Sequence, residues 1–288
     1  MPNRNGRATA AERLVFRNVR NAEAEYARKL RRLAQFVMQT AQTMFGAAGP
    51  AVEDVTGLFI PWANMMNGYS DVIQPWAKTV ALKMLHDVAL RDMRAWRERS
   101  QEISWNLEDT VRNAPIGLLM QQRLDDQIKL ITSIPRDIAE EVHQMALTTL
   151  YSGQRLGNIS ELIQKKANTT LGRANLIART EVARTTTELT RTRAEYVGSD
   201  GYIWRTAHDE DVRPSVFLSP QARARFIGSH RALEGKFIKW SEPPVSGQRG
   251  ERAHAGQIYN CRCVPEVVIP EERGRPVESW AWQANTNL

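Results

Sequence analysis

The chain has 288 residues, of which 42% are hydrophobic and 25% are charged, and its formal net charge is +7. These proportions are typical of a soluble globular protein with one large domain or two smaller ones. No apolar run approaches the roughly 18 residues that a membrane-spanning helix needs, and the N-terminus is polar, so we expect a cytoplasmic protein. The two cysteines, Cys261 and Cys263, are too close together for a disulfide framework, which favours a reducing compartment.

The positive charge is concentrated in a basic arm, residues 1–34, which carries nine basic and three acidic side chains. Arginine presents a planar fork that suits phosphate and carboxylate groups, so the arm is a candidate for contact with nucleic acid or an acidic protein surface. The alternative is a solvated helix face, because no aromatic residues alternate with the arginines as base stacking would require. The candidate contact residues are Arg13, Arg17, Arg20, Arg28, Arg31 and Arg32.

Helical periodicity dominates the first two thirds of the chain. Residues 8–45 predict one long helix, because apolar residues recur every three or four positions from Val15 to Val37. Such a stripe needs a partner, either another helix of this chain or a neighbouring subunit. The turn-rich residues 50–70 predict a partly buried connection. Further helices are predicted from Ser70 to about Trp96, over 106–131 with a break at Pro115–Gly117, and over 135–151, 159–167 and 169–196.

The pattern changes after Gly198, where three short segments read as strands. These are residues 201–207 and 236–240, with alternating polarity, and the β-branched residues 263–269. We therefore predict an α+β fold, with a long-helix-rich N-terminal region followed by a small mixed α/β module. The predicted division is 1–168 for the helical region, 169–270 for the module and 271–288 for a C-terminal tail.

The module also contains the side chains best suited to chemistry. Thiolate, imidazole and carboxylate groups together are the ligands of zinc sites, and the candidate metal ligands are Asp209, His230, Cys261 and Cys263. Two cysteines one residue apart on an extended strand point the same way, which lets both face one ion. The alternative is that both cysteines are buried packing groups.

Catalysis finds less support in the sequence. Cys263 beside His230 or His254 could form a nucleophile–base pair, and Asp209, Asp211 and His230 could serve a metal-dependent nuclease. However, the sequence contains no phosphate-binding glycine loop and no serine elbow. We therefore expect a protein that is not an enzyme.

The order of short motifs in the last third of the chain resembles a known family. Ile177-Ala-Arg-Thr-Glu181 is followed by Trp204-Arg-Thr-Ala-His-Asp209, Val212-Arg-Pro-Ser215, His230-Arg-Ala-Leu-Glu-Gly235 and Asn260-Cys-Arg-Cys263. This succession, over about residues 170–268, resembles the C-terminal domain of the Mu protein F-like head morphogenesis proteins of tailed bacteriophages. The family motif residues present here are Arg179, Glu181, Trp204, Asp209, Arg213, Gly235, Asn260 and Arg262.

The resemblance implies a minor capsid protein located inside the virion head and in the host cytoplasm during assembly. It implies association with the portal vertex, contacts with portal, major capsid or scaffolding protein, a part in capsid assembly and DNA packaging, and contact with double-stranded DNA. The open alternatives are a DNA-binding packaging accessory, or a metal-dependent nuclease or toxin-like effector. One departure is an apparent insertion, residues 216–229, between Ser215 and His230, so His230 reaches the cysteines only if the insertion loops out.

The motif residues also carry structural predictions. Arg179 and Glu181 do not share a helix face, so each needs a partner elsewhere. We expect Arg213 to form a buried ion pair with Glu181 or Asp209, Gly235 to adopt a positive φ, and Trp204 to lie in the core.

Overall fold

The computed structural model describes residues 10–46, 56–102, 107–151 and 157–269. The α+β class is confirmed, because long helices precede a small antiparallel sheet. None of the described helices is both long enough and apolar enough to cross a membrane. The elements, in chain order, are α1 (Ala10–Gly46), α2 (Thr56–Val72), α3 (Gln74–Glu102), α4 (Glu108–Arg112), α5 (Gly117–Tyr151), α6 (Gly157–Tyr196), β1 (Gly201–Arg205), α7 (Pro220–Ala224), α8 (His230–Leu233), β2 (Phe237–Lys239) and β3 (Val264–Val268).

Contacts group the chain into two compact units. One, which we call the helical unit, comprises residues 19–90 and 117–185; the other, the mixed unit, comprises residues 1–18, 91–116 and 186–288. The division into 1–168, 169–270 and 271–288 stays a prediction, and residues 271–288 lie outside the described residues.

The stripe predicted for the first helix faces the core of the helical unit. From Ala22 to Val37 its members are buried, and Leu30 and Val37 are fully enclosed. The stripe therefore packs within this chain, which answers the need for a partner that its periodicity predicted.

The predicted connection over residues 50–70 is wrong, because α2 occupies most of it. The helix contains Pro61, which costs a helix interior about 3 kcal/mol. Burial offsets this cost: Phe59, Trp62 and Met66 lie on one face and are buried. The Trp62 indole also contacts the Phe59 ring in an edge arrangement at 6.2 Å and donates a 3.1 Å hydrogen bond to Thr40.

Two other predicted helix ends are absent. Helix α5 continues through Pro135, where Ile131, Ile134 and Ile138 keep a buried face on both sides of the proline. Helix α6 continues through residue 168, and the Thr170 hydroxyl is satisfied within it by donating a hydrogen bond to the Lys166 carbonyl at 3.0 Å. The predicted break at Pro115–Gly117 is confirmed, since α4 ends before it and α5 begins at Gly117.

Within the described residues the strands form one antiparallel sheet in the order β2-β1-β3. Tyr202 of β1 lies opposite Ile238 on one side and opposite Val267 on the other. The strand predicted over residues 201–207 is confirmed as β1. Because β1 is the central strand, Tyr202, Ile203 and Trp204 are all buried. Gly201 has no room for a side chain, since a Cβ there would lie 2.2 Å from the Ile238 carbonyl oxygen.

The core of the mixed unit is unusually aromatic and includes both cysteines. It combines Trp96, Leu107, Val111, Ala194, Tyr202, Trp204, Ile238, Trp240, Ala255, Cys261, Cys263 and Val267. Most of it comes from the sheet and loops of residues 199–269. This range is the part of the predicted module that follows α6, and it is called the C-terminal module from here on. Trp204 is fully buried, as predicted.

Candidate metal centre

Three side chains from two separate segments meet beside Trp204 in the module core. His230 is the first residue of α8, and the Ser229 hydroxyl caps this short helix by accepting a hydrogen bond from Ala232 N–H. Cys261 and Cys263 lie in the extended segment directly before β3. Asn260, with φ of +57°, turns the chain into that segment. The insertion therefore does loop out, and His230 returns to the cysteines.

The histidine Nδ1 atom faces both sulfur atoms. It lies 3.6 Å from Cys261 Sγ and 3.4 Å from Cys263 Sγ. The three candidate ligand atoms lie within 4.8 Å of one another, and all three residues are buried. The Cys263 backbone N–H points to Cys261 Sγ at 3.4 Å.

The other histidine nitrogen has a fixed role. His230 Nε2 lies 3.0 Å from the Ser246 carbonyl oxygen, which can only accept, so Nε2 carries a proton and, in the neutral imidazole, Nδ1 presents a lone pair. Ser246 is itself held, because its N–H donates to the Glu251 carbonyl and its hydroxyl donates to the Ala253 carbonyl. Metal-binding histidines in proteins are oriented in this way by a partner on the second nitrogen.

The two thiols differ in acidity. Burial opposes ionisation of Cys261, but the hydrogen bond from Cys263 and the hydrogen bond and charge of a protonated His230 outweigh it and hold the pKa of Cys261 well below its ordinary value. The pKa of Cys263 is raised instead, because its proton is donated to Cys261 and because the group is buried. One thiolate therefore forms readily beside the imidazole, as a metal ligand requires.

The donor set and its spacing fit a metal ion. Zinc lies about 2.3 Å from sulfur and about 2.0–2.1 Å from nitrogen, which places tetrahedral S and N ligands about 3.6 Å apart. The observed separations of 3.6 and 3.4 Å match this spacing. His230, Cys261 and Cys263 could thus hold a metal ion without moving far.

A second histidine lies in the same core but is not part of this group. The Tyr202 hydroxyl accepts a hydrogen bond from Ala255 N–H and lies 3.2 Å from His254 Nδ1, within hydrogen-bond distance. Desolvation by burial, assisted by the positive charge of Arg191, lowers the pKa of His254 to about 4. His254 is therefore neutral near pH 7, and it is not placed to act as a base for Cys263.

Asp209, the fourth predicted ligand, lies outside the group of three. Its carboxylate binds the Arg262 guanidinium, with Oδ2 at 2.8 Å from Nη1 and Oδ1 at 2.9 Å from Nη2. Asp211 contacts the same guanidinium at 3.0 Å. An arginine between the two cysteines thus neutralises both carboxylates that the nuclease reading would have used.

The predicted ion pair of Arg213 with Glu181 or Asp209 is wrong. Arg213 donates instead to the backbone carbonyl of Tyr259, because Asp209 is taken by Arg262. Gly235 adopts a φ of +74°, as predicted.

Glu181 and Arg179 have separate partners in the helical unit, as predicted. Glu181 is buried and accepts a 2.7 Å hydrogen bond from Gln127 Nε2. Gln127 in turn accepts a 2.7 Å hydrogen bond from the Tyr26 hydroxyl. Arg179 pairs with Glu23 at 2.9 Å. The Ala-Arg-Thr-Glu motif therefore contributes polar contacts between helices of this unit.

The arginines predicted to contact a partner lie on α1. Five of the six are exposed, and Arg31 is partly buried. Arg13 and Arg17 belong to the mixed unit, whereas the other four belong to the helical unit.

The sequence did not predict the roles of two residues at or beside the candidate centre, Arg231 and Ser246. Arg231 holds a loop beside the centre, and it stands next to His230 in a motif that was already recognised, so its position was a usable signal. Ser246 orients the imidazole through a backbone carbonyl, which any residue could supply. No sequence pattern marks such a contact.

The chain is 27% identical over 177 residues to an uncharacterized protein from Haemophilus influenzae, and the match covers 58% of this chain and 35% of that protein. It therefore spans about a third of the relative's length. No protein-family model matches the chain. No solved structure matches it either.

Proposed function

We propose that the C-terminal module is a zinc-stabilised structural module, and that the protein is a minor head protein of a tailed bacteriophage. The observation that carries the first part is the imidazole of His230. Its Nδ1 lone pair faces two sulfurs at tetrahedral spacing, while its Nε2 proton is held by Ser246. The sulfur and nitrogen donors are those that zinc prefers.

Burial favours a structural over a catalytic metal. Structural zinc sites are closed by four protein ligands, whereas catalytic sites have three and keep one position open to water or substrate. The described residues supply three ligands here, so burial and not ligand number favours the structural role. His230, Cys261 and Cys263 are each at most 3% exposed, and the Trp204 ring lies edge-on to the imidazole at 5.2 Å. The metal-dependent nuclease or effector is thus the weaker alternative, since Asp209 and Asp211 are engaged by Arg262.

Cobalt substitution tests the ligand set. Purified full-length protein loaded with Co²⁺ should show thiolate-to-metal absorption, because two cysteine sulfurs would bind the ion. The Asp209→Asn variant should retain this absorption, whereas His230→Gln should change the ligand-field bands. A spectrum of hexa-aqua cobalt in the wild-type protein would reject the site.

The order of the motifs supports the assignment to phage heads. Five segments occur in the order of the Mu protein F-like family, and their residues Trp204, His230, Cys261 and Cys263 meet in one core. A rigid module of this kind suits an adaptor that contacts the portal, major capsid or scaffolding protein. The proposed location is the interior of the virion.

Particle analysis tests this assignment. We expect mass spectrometry of purified particles from the phage or prophage that encodes the chain to find it in few copies per head. Deletion of its gene should lower the yield of DNA-filled heads, and a plasmid copy should restore it. Normal infectious yield from the deletion, with no chain in wild-type particles, would reject the assignment.

The arginines of α1 support contact with DNA as a second candidate function. Within the helical unit, Arg20, Arg28 and Arg32 are exposed. The nearby acids are neutralised, because Glu23 pairs with Arg179 and Glu25 lies 3.8 Å from Lys83. The exposed side of this helix is therefore strongly positive, as phosphate binding requires.

A salt series separates this candidate from a purely protein-binding arm. Affinity for duplex DNA should fall with salt at a log–log slope of about 0.9 per phosphate contact. Replacing Arg20, Arg28 and Arg32 with glutamine should lower the slope by about two to three. The matched control replaces Arg223, Arg225 and Arg249 of the module, which are also exposed. Equal slopes for both triple variants would reject the role of α1.

A further inference from the structure

The loop Asp209–Pro214 is attached to the module largely through the guanidinium of Arg231. Arg231 Nη2 donates to the carbonyls of Asp209 at 3.0 Å and Glu210 at 3.2 Å. Its Nε donates to the carbonyls of Val212 at 3.1 Å and Pro214 at 3.3 Å. One side chain therefore satisfies four loop carbonyls.

Two more contacts hold the same loop. Arg262 binds the carboxylates of Asp209 and Asp211. Arg213, within the loop, donates to the carbonyl of Tyr259. The Arg231 backbone N–H also donates to the Arg213 carbonyl at 3.1 Å, so Arg231 holds the loop through its main chain as well. The hydrogen bond from Val212 N–H to the Asp209 carbonyl lies inside the loop and shapes it.

All three anchors adjoin the candidate metal ligands in the sequence. Arg231 follows His230, Arg262 lies between Cys261 and Cys263, and Tyr259 precedes Cys261 by two positions. A metal ion that fixes the backbone at the three ligands would therefore also fix the backbone positions from which the anchoring side chains extend.

We propose that metal binding at His230, Cys261 and Cys263 fixes the Asp209–Pro214 loop through Arg231 and Arg262. This inference rests on the proposed zinc site. Zinc would replace the thiol protons of both cysteines, which pass to solvent, and would join the two segments by coordinate bonds. Without zinc, hydrogen bonds between the imidazole and the two sulfurs join the three side chains.

The loop leads into an exposed apolar segment, so a change in the loop should also change the mobility of that segment. Val216 follows the loop, and its N–H donates to the Glu210 carbonyl at 3.0 Å. Val216 is 41% and Phe217 is 74% exposed. Loss of the metal would therefore loosen both the loop and the apolar surface beside it.

Hydrogen–deuterium exchange of the full-length protein tests the coupling. Zinc-loaded and chelator-stripped samples are compared over peptides covering residues 207–218, with residues 120–140 of the helical unit as an internal reference. We expect stripping to speed exchange in 207–218 by about tenfold or more and to leave the reference unchanged. Zinc content is measured on the same samples.

An arginine variant isolates the anchor from the ligands. Arg231→Lys keeps the charge and all three ligands but cannot serve four carbonyls, so it should retain zinc while 207–218 exchanges rapidly with or without the metal. The matched control is Arg252→Lys, because Arg252 also donates to a backbone carbonyl, that of Pro243, at 3.0 Å. This control should respond to zinc as the wild type does.

The outcomes separate the two proposals. If zinc binds and the exchange of 207–218 is the same in loaded and stripped samples, the coupling is wrong and the zinc site stands. Absence of zinc from the loaded sample overturns the zinc site, and the coupling with it.

Discussion

The helical unit and the C-terminal module use polar side chains in opposite ways. In the helical unit, Tyr26, Gln127 and Glu181 form a buried chain of hydrogen bonds between three helices far apart in sequence. In the module, the polar groups at His230 and Cys261 lie beside the arginines that hold the neighbouring loop. The buried polar contacts of the helical unit thus join residues far apart in the sequence. The polar residues of the module lie instead within short motifs that can be recognised in the sequence.

The largest expected effect is loss of the aromatic core of the module. Trp204→Ala should lower the free energy of unfolding by about 3–5 kcal/mol, because the side chain is fully buried. Urea denaturation followed by circular dichroism measures this change. The control is Trp76→Ala in α3, whose side chain is 37% exposed and should matter far less. Similar losses in both variants would contradict the description of the core.

The polar chain of the helical unit should give the next largest effect. Glu181→Ala leaves the Gln127 amide without its buried acceptor, so we expect a loss of about 2–3 kcal/mol in the free energy of unfolding. Glu140→Ala is the control, because Glu140 accepts from Gln144 at the surface and should contribute less than about 0.5 kcal/mol. An unchanged stability for Glu181→Ala would show that the buried chain is not a stabilising contact.

The sequence predicted features of the module better than the polar contacts of the helical unit, because the module's features are local. The motif order located Trp204, the positive φ of Gly235 and the cysteines of the candidate centre, because each requirement is local. The buried chain from Glu181 through Gln127 to Tyr26 could not be predicted, since each of its two hydrogen bonds joins residues more than 50 positions apart and no spacing links them. Helix α2 was missed because Pro61 and two glycines resemble a turn, while the buried face that outweighs them depends on tertiary packing.

At the candidate metal centre, too, the sequence predicted the residue types but not which of them contact one another. The sequence identified its three ligands but grouped Asp209 with them, because carboxylates and thiolates both suit zinc. The structure instead pairs Asp209 with Arg262. Which of two nearby partners a carboxylate takes depends on the path of the loop, and residue type alone does not fix it.

Paired glycine substitutions give a smaller effect of opposite sign in the two regions. Gly235→Ala should cost about 1–2 kcal/mol, because φ is +74°. Gly68→Ala in α2 should add about 0.5–1 kcal/mol, because the helix leaves open space for a Cβ there. Thermal and urea unfolding measure both. A gain at Gly235 would contradict its backbone conformation.

The last expected effect is a pH dependence that originates in the module and is absent near neutral pH. The pKa of His254 is lowered to about 4 from its ordinary value of 6.5, so the unfolded chain binds an extra proton between these values. Its contribution to stability is present above pH 6.5 and is lost as the pH falls toward 4, with a slope of at most about 1.4 kcal/mol per pH unit. His254→Gln should remove this slope. Parallel pH profiles for the variant and the wild type would contradict a buried neutral His254.

Zinc content tests the central claim most directly. Inductively coupled plasma mass spectrometry of full-length protein, purified without chelator and dialysed in zinc-containing buffer, should find one zinc ion per chain. Cys261→Ser should lose it, and Asp209→Asn should keep it. A wild-type protein that binds no zinc, or a Cys261→Ser variant that binds as much as the wild type, would contradict the zinc-stabilised module.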